Sequence, residues 1–225
     1  RYMMEKIRQS GEVKLTDKGF LPTAVVKDIH SQGFIKEYFL DEYKKGKVIR
    51  EFDSYAVHMT RMLLEATGLI KKRKGKLSLT KKGEKLFSQP GLLLFHLLHT
   101  YCFSFNLAFF DGYGQNNIVR IGWAFTIILL SKYGRHERPN TFYAEKHFHA
   151  FPAMIHEVEN TYKHDQQRIA YNCYSHRMIE HFMQHLGVID IKYERYFDEV
   201  RNISATDLLW KLFQVQAPYA ARRWN

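Results

Sequence analysis

The chain has 225 residues, 45% of them hydrophobic, with a formal net charge of +11. That apolar content excludes wholesale disorder, and the length suits one large domain or two small ones. A basic balance points to polyanionic partners, such as nucleic acid or an anionic membrane.

The excess charge is uneven. Residues 1–110 hold 20 Lys and Arg against 11 Asp and Glu, whereas residues 111–225 hold 14 against 12. Two isolated cysteines, Cys102 and Cys173, exclude a disulfide framework and suit a reducing compartment. The opening RYMMEKIRQS lacks the apolar core of a signal peptide, so a cytoplasmic location is expected.

In chain order, residues 1–10 predict a short helix and Val13 to Thr16 a short strand. Thr16 suits a cap or turn, and Pro22 suits the first turn of a helix whose apolar face is Val25, Val26 and Ile29. A further helix is expected over Ile35 to Lys44. Asp53 or Ser54 caps the next, over 54–67. Its spacing turns Tyr55, Met59, Met62, Leu63 and Ala66 inward and leaves Ser54, Val57, His58 and Arg61 outward. Gly68 stops that helix. A strand (Leu69, Ile70), a turn at Lys74-Gly75 and a half-buried strand (Leu77, Leu79) follow, and Thr80 opens another helix.

Ser88-Gln89-Pro90-Gly91 is the clearest break and is taken as the domain boundary, giving units 1–89 and 90–225. Two apolar helices are expected beyond it, Leu92 to Phe110 and Ile118 to Leu130. Both are read as buried core rather than membrane spans, because polar residues interrupt the first and the second is too short. They are expected to be the most buried segments and to pack on each other. A loop over Gly134 to Asn140, a helix ending near Phe151, another over 153–161 and a long one over 165–186 complete the helical part. Gly187 stops the last of these. Val188, Ile189 and Ile191 then form a strand, a charged hairpin returns through Ile203, and Thr206 opens the final helix.

The end repeats the beginning. With Gly68 set beside Gly187, Leu69-Ile70 matches Val188-Ile189; with Thr80 beside Thr206, Leu77 matches Ile203 and Leu86-Phe87 matches Leu212-Phe213. Helix followed by a two-stranded wing is the back half of a winged helix. The expected fold is therefore mostly α, with two winged-helix-like units packed through long apolar helices.

Two segments, Leu15-Thr16-Asp17-Lys18-Gly19-Phe20-Leu21-Pro22 and Gly68 through Gly83, resemble the LTxxGxLP and GLIxxxxGxLxLTxxG patterns of a loose group of uncharacterised bacterial proteins. Some of those occur alongside plasmid-borne open-reading-frame domains. The resemblance implies a helical, winged-helix-like architecture and carries over no activity. The second copy departs from it, since Leu209 stands where Gly83 closes the first pattern.

Function is read from charge. Residues 71–85 hold eight bases and one acid. A winged helix lays one helix in the major groove and rests its wing on phosphates, which Lys and Arg neutralise. The expected DNA-contacting residues are Ser54, His58 and Arg61 on the groove helix, Lys71, Lys72, Arg73, Lys74 and Lys76 on the wing, and Lys81, Lys82 and Lys85 after it. The rival reading is a charged hairpin that keeps an edge strand soluble, in a structural or protein-interaction module. The second hairpin, Asp190 to Asn202, holds four acids and three bases. It reads as structural or dimerising, with nucleic-acid contact by Gln167, Arg168, Asn172 and Arg177 as the alternative. DNA is thus the favoured partner, a homodimer fits the second copy, and neither membrane nor cofactor is expected.

Enzyme motifs are absent: no GxSxG, no phosphate loop, and Gly112-Tyr113-Gly114 lacks the third glycine of a dinucleotide fingerprint. Asp198-Glu199 reads as hairpin surface. Twelve histidines keep a metal-dependent enzyme as a third reading, with His181 and His185 on one helix face and His147 and His149 close in sequence, but no third ligand stands at a diagnostic spacing.

Overall fold

A computed structural model describes residues 1–37, 40–41, 46–160, 165–193 and 200–216. The fold is mostly helical, with two small antiparallel sheets of three strands each. The chain separates into two compact units, Arg1–Asn106 and Leu107–Asn225. Among the described residues no helix is long and apolar enough to cross a membrane. Both cysteines are buried free thiols.

The first unit runs α1 (Tyr2–Ser10), β1 (Val13–Lys14), α2 (Thr23–Ser31), a 3-10 turn (Glu51–Asp53), α3 (Tyr55–Ala66), β2 (Ile70–Arg73), β3 (Lys76–Leu79), α4 (Lys81–Phe87) and α5 (Pro90–Phe103). The sheet order is β1-β3-β2, with Val13 opposite Leu77 and Ile70 opposite Leu79. That register turns Val13, Ile70 and Leu77 onto a core shared with Met4, Ile7, Val26, Leu64 and Leu69. The hairpin turn needs positive φ at two successive residues, and Lys74 (49°) and Gly75 (69°) supply it.

The second unit runs α6 (Ala108–Asp111), α7 (Ile118–Tyr133), β4 (Arg138–Pro139), α8 (Asn140–Ala150), a 3-10 stretch (Pro152–Glu157), α9 (Gln166–Tyr174) continued by a π-helical segment (Ser175–Gln184), β5 (Ile189–Lys192), β6 (Asn202–Ala205) and α10 (Asp207–Leu212). Its sheet order is β4-β6-β5, with Arg138 opposite Ile203 and Ile189 opposite Ala205.

The paired landmarks coincide down to single hydrogen bonds. The helix before each hairpin ends with a glycine in the left-handed region, Gly68 at φ 71° and Gly187 at φ 76°. The next amide reaches back in each case, Leu69 N–H to the Leu64 carbonyl (2.9 Å) and Val188 N–H to the Met183 carbonyl (3.1 Å), which is the Schellman pattern. Across each hairpin a threonine hydroxyl donates to the glycine carbonyl, Thr80 to Gly68 and Thr206 to Gly187, both at 2.7 Å.

Several expectations change. The run Leu92–Phe110 is not one helix: α5 ends at Phe103 and α6 is only four residues long. The two apolar helices are not the most buried segments either, since Leu92, Phe95, Phe103, Ile121 and Ile128 are exposed, and α5 and α7 belong to different units. The Ser88–Gly91 break is the start of α5, with Pro90 at its first turn, and it lies inside the first compact unit. The expected loop over Gly134 to Asn140 contains β4. The described part of the expected 153–161 helix holds a 3-10 stretch, Pro152–Glu157, and the 165–186 helix changes to π geometry at Ser175. Half of the helix expected over Ile35 to Lys44 falls outside the described residues, and the tip of the second hairpin and the Asp198-Glu199 pair lie outside them.

Candidate nucleic-acid interface

The β2–β3 hairpin carries its cations outward. Lys71, Lys72, Arg73, Lys74 and Lys76 are all exposed, while Leu77 between the strands is fully buried. The pleat alone would alternate faces; β2 is an edge strand with its outer residues in solvent, so polar positions can follow one another there. Lys81, Lys82 and Lys85 extend the row along the exposed side of α4. Acids near the row are few. Lys76 pairs with Glu12 (2.7 Å), and Glu84 pairs with Arg8 (3.3 Å) rather than with a hairpin cation. Lys82 donates to the Thr67 carbonyl at 2.9 Å, tying α4 to the end of α3.

The first motif supports the hairpin from the side. Thr16 to Phe20 closes a tight turn, with Gly19 N–H donating to the Thr16 carbonyl (2.7 Å) and Phe20 N–H to the Thr16 hydroxyl (3.1 Å). Gly19 has φ 80°, and a Cβ there would sit 2.7 Å from Lys72 Nζ. The lysine side chain therefore lies over the glycine, and Lys18 stands exposed beside it. Gly83 has a different reason: a Cβ would come within 2.1 Å of the Leu69 carbonyl oxygen, so α4 packs backbone to backbone on the strand start. The two sequence motifs thus frame one structure, the hairpin and its supports.

The groove-helix residues are placed otherwise than expected. Ser54 and Arg61 are buried, at 0% and 5% exposure, so neither is available to a duplex. The inward face of α3 carries Ala56, Val57, Met59, Arg61 and Leu64, a rotated stripe relative to the one read from apolar spacing. The cause is Glu51, buried at 1% exposure in the 3-10 turn. Its carboxylate accepts from Arg61 Nε (2.5 Å) and the Leu21 amide (2.5 Å), and lies 2.9 Å from His58 Nδ1. Arg61 Nη1 also donates to Glu65 (2.6 Å). Burial by itself would raise the Glu51 carboxyl, but the bonds from His58, the Leu21 amide and Arg61 outweigh it and hold it below the usual carboxylate range. Ser54 donates to Glu37 (2.5 Å) and accepts from Val57 N–H (3.2 Å), so it caps α3. Burial pushes the Glu37 carboxyl up, against the hydrogen bonds from Ser54 and Ala56.

Residues 1–92 match the model of the Y4jL N-terminal domain, an uncharacterised family. That stretch takes in β1, the whole β2–β3 hairpin, α4 and the first residues of α5, and stops short of the second unit. No curated protein and no solved structure matches the chain. The Y4jL stretch contains every residue expected from the sequence to contact DNA.

In the second unit Arg177 is also buried, at 2%, in a two-bond pair with Asp111 (2.5 and 2.6 Å) and with the Gly114 carbonyl (2.8 Å). It therefore leaves the alternative set of Gln167, Arg168, Asn172 and Arg177. Lys192 pairs with Glu137. Sequence spacing also passes over His176 and Glu180, which the π-helical segment brings beside His181; helical periodicity at 3.6 residues per turn does not bring positions 176 and 181 together.

Proposed function

We propose that the first unit is a winged-helix-like module that binds duplex DNA through its phosphates, with the β2–β3 hairpin as the contact surface. The order helix, strand, helix, helix, hairpin supports the winged-helix reading. The observation that carries the DNA reading is the continuous exposed row Lys71, Lys72, Arg73 and Lys74, extended by Lys81, Lys82 and Lys85 with no acid among the hairpin residues. Because Ser54 and Arg61 serve the interior, the binding is backbone-directed and independent of base sequence, driven by counterion release.

The test is duplex binding across a salt series. Each phosphate contact contributes about 0.9 to the slope of log affinity against log salt, so Lys71, Lys72 and Lys74 changed together to Glu should flatten that slope by about 2.7. Affinity should fall alike for unrelated duplexes. Lys192→Glu with Lys211→Glu in the second unit should change it far less. Absence of affinity at low salt, or equal effects of the two charge reversals, would leave the hairpin as an edge-protecting device of an interaction module.

A further inference from the structure

The second unit carries a side-chain cluster that the DNA reading does not use. It sits on the π-helical segment Ser175–Gln184. In an α-helix residues five apart lie roughly 140° apart around the axis. The i→i+5 bonding of a π-helix instead brings such residues into one row, and π segments recur at functional sites. Here the row joins His176, Glu180 and His181.

The Nε2 atoms of His176 and His181 are 3.1 Å apart, with ring planes at 85° and centroids 4.1 Å apart. Glu180 Oε2 lies 3.6 Å from His176 Nδ1. One donor atom from each of the three falls within 4.8 Å of the others, the one such group of three or more among the described residues. Zinc–nitrogen bonds of about 2.0–2.1 Å set two ligand nitrogens about 3 Å apart around one ion, which is the spacing the rings already hold.

The surroundings suit a metal ligand set. Glu180 Oε1 is paired with Arg201 Nη1, while its Oε2 lies by the Nδ1 edge of the His176 ring. Such an outer partner is what fixes a metal-binding carboxylate. The neighbouring cation, Arg177, is neutralised by Asp111. The His176 side chain is 32% exposed and Glu180 16%, so the cluster is partly open to solvent.

The geometry points to a binding site for one divalent first-row transition-metal ion, ligated by His176, Glu180 and His181. Two imidazoles and a carboxylate are a ligand set of intermediate softness that suits zinc, and three protein ligands leave a position for water.

The experiment uses the full chain, stripped with a chelator, titrated with zinc by calorimetry and with cobalt by its visible d–d absorption. One ion should bind per chain, with an intense low-symmetry cobalt band. His176→Gln and Glu180→Gln, both at partly exposed positions, should each weaken zinc binding by more than about 10-fold. His149→Gln, on an exposed residue elsewhere, should leave it within 2-fold. Circular dichroism of each stripped variant checks folding. The proposal is overturned if the wild-type chain takes up no stoichiometric zinc, or if a folded His176→Gln or Glu180→Gln variant binds zinc as tightly as wild type. In those cases the two rings are simply hydrogen-bonded to each other.

Discussion

The two hairpins share a frame and differ in what is hung on it. Each follows a glycine-stopped helix, pairs with a third strand from earlier in its unit, and is latched by a threonine hydroxyl on the glycine carbonyl. The first turns five cations to solvent, whereas the second ties Lys192 to Glu137 and Arg201 to Glu180. The backbone hydrogen bonds fix the frame. Surface charge is free to vary on top of it, because exposed residues contribute little to the fold.

The interiors differ as well. Each unit buries an arginine on the helix before its hairpin, Arg61 against Glu51 and Arg177 against Asp111, and both Nε–O distances are 2.5 Å. Around its pair the first unit adds Glu65 and His58. The second unit buries a histidine away from charged partners. His147, fully buried between Phe148, Phe151 and Tyr174, is depressed by burial to about 4.

The largest expected effect comes from breaking a buried pair. Glu51→Gln removes the charge that Arg61 and His58 share, and loss of one partner of a buried pair costs about 3–5 kcal/mol. Urea unfolding followed by far-ultraviolet circular dichroism should show the loss. Trp123, Trp210 and Trp224 all lie in the second half of the chain, so tryptophan fluorescence reports the second unit separately. A change below about 1 kcal/mol would mean that Arg61 finds water when its partner is gone, and that the cluster is not a closed interior.

Acid separates the interiors next. A histidine whose folded pKa lies below its unfolded value binds its proton preferentially in the unfolded chain. Its stabilisation is therefore complete above about 6.5 and is lost as pH falls toward the folded value. For His147, with a folded value of about 4, the loss across that window amounts to about 3 kcal/mol. Stability followed by tryptophan fluorescence should decline steadily from neutral pH to about 4, and His147→Leu should flatten that decline. An unchanged slope in the variant would place the acid sensitivity elsewhere.

How much of this the sequence shows depends on the kind of signal. Gly68, Gly187, Thr80 and Thr206 announce the hairpins because a left-handed stop and a cap each demand a residue type. The place of Arg61 is not readable in this way. Apolar periodicity assigns a charge to the outside unless its buried partner is known, and Glu51 lies ten residues away in an irregular segment. The π geometry leaves no mark in a pattern read at 3.6 residues per turn, so His176 stays hidden while spacing alone pairs His181 with His185. Strand β4, two residues long with a proline, is too short to show alternation. The end of α5 at Phe103 is likewise masked by apolar residues on both sides of Ser104.

The smallest effect tests the shared latch itself. Thr80 does two jobs: its hydroxyl donates to the Gly68 carbonyl and accepts from Gly83 N–H at 3.0 Å, capping α4. Thr206 makes the same bond to Gly187 but no side-chain cap on α10, where Leu209 is buried at the position equivalent to Gly83. Thr→Val keeps the shape and removes both bonding roles. A lost cap costs about 1 kcal/mol and a lost neutral hydrogen bond about as much. Thr80→Val should therefore destabilise the first unit by about 2 kcal/mol, and Thr206→Val the second by about 1. Equal losses would show that the cap on α4 adds nothing beyond the latch, and that the Thr-x-x-Gly ending of the first copy serves close packing on Leu69 alone.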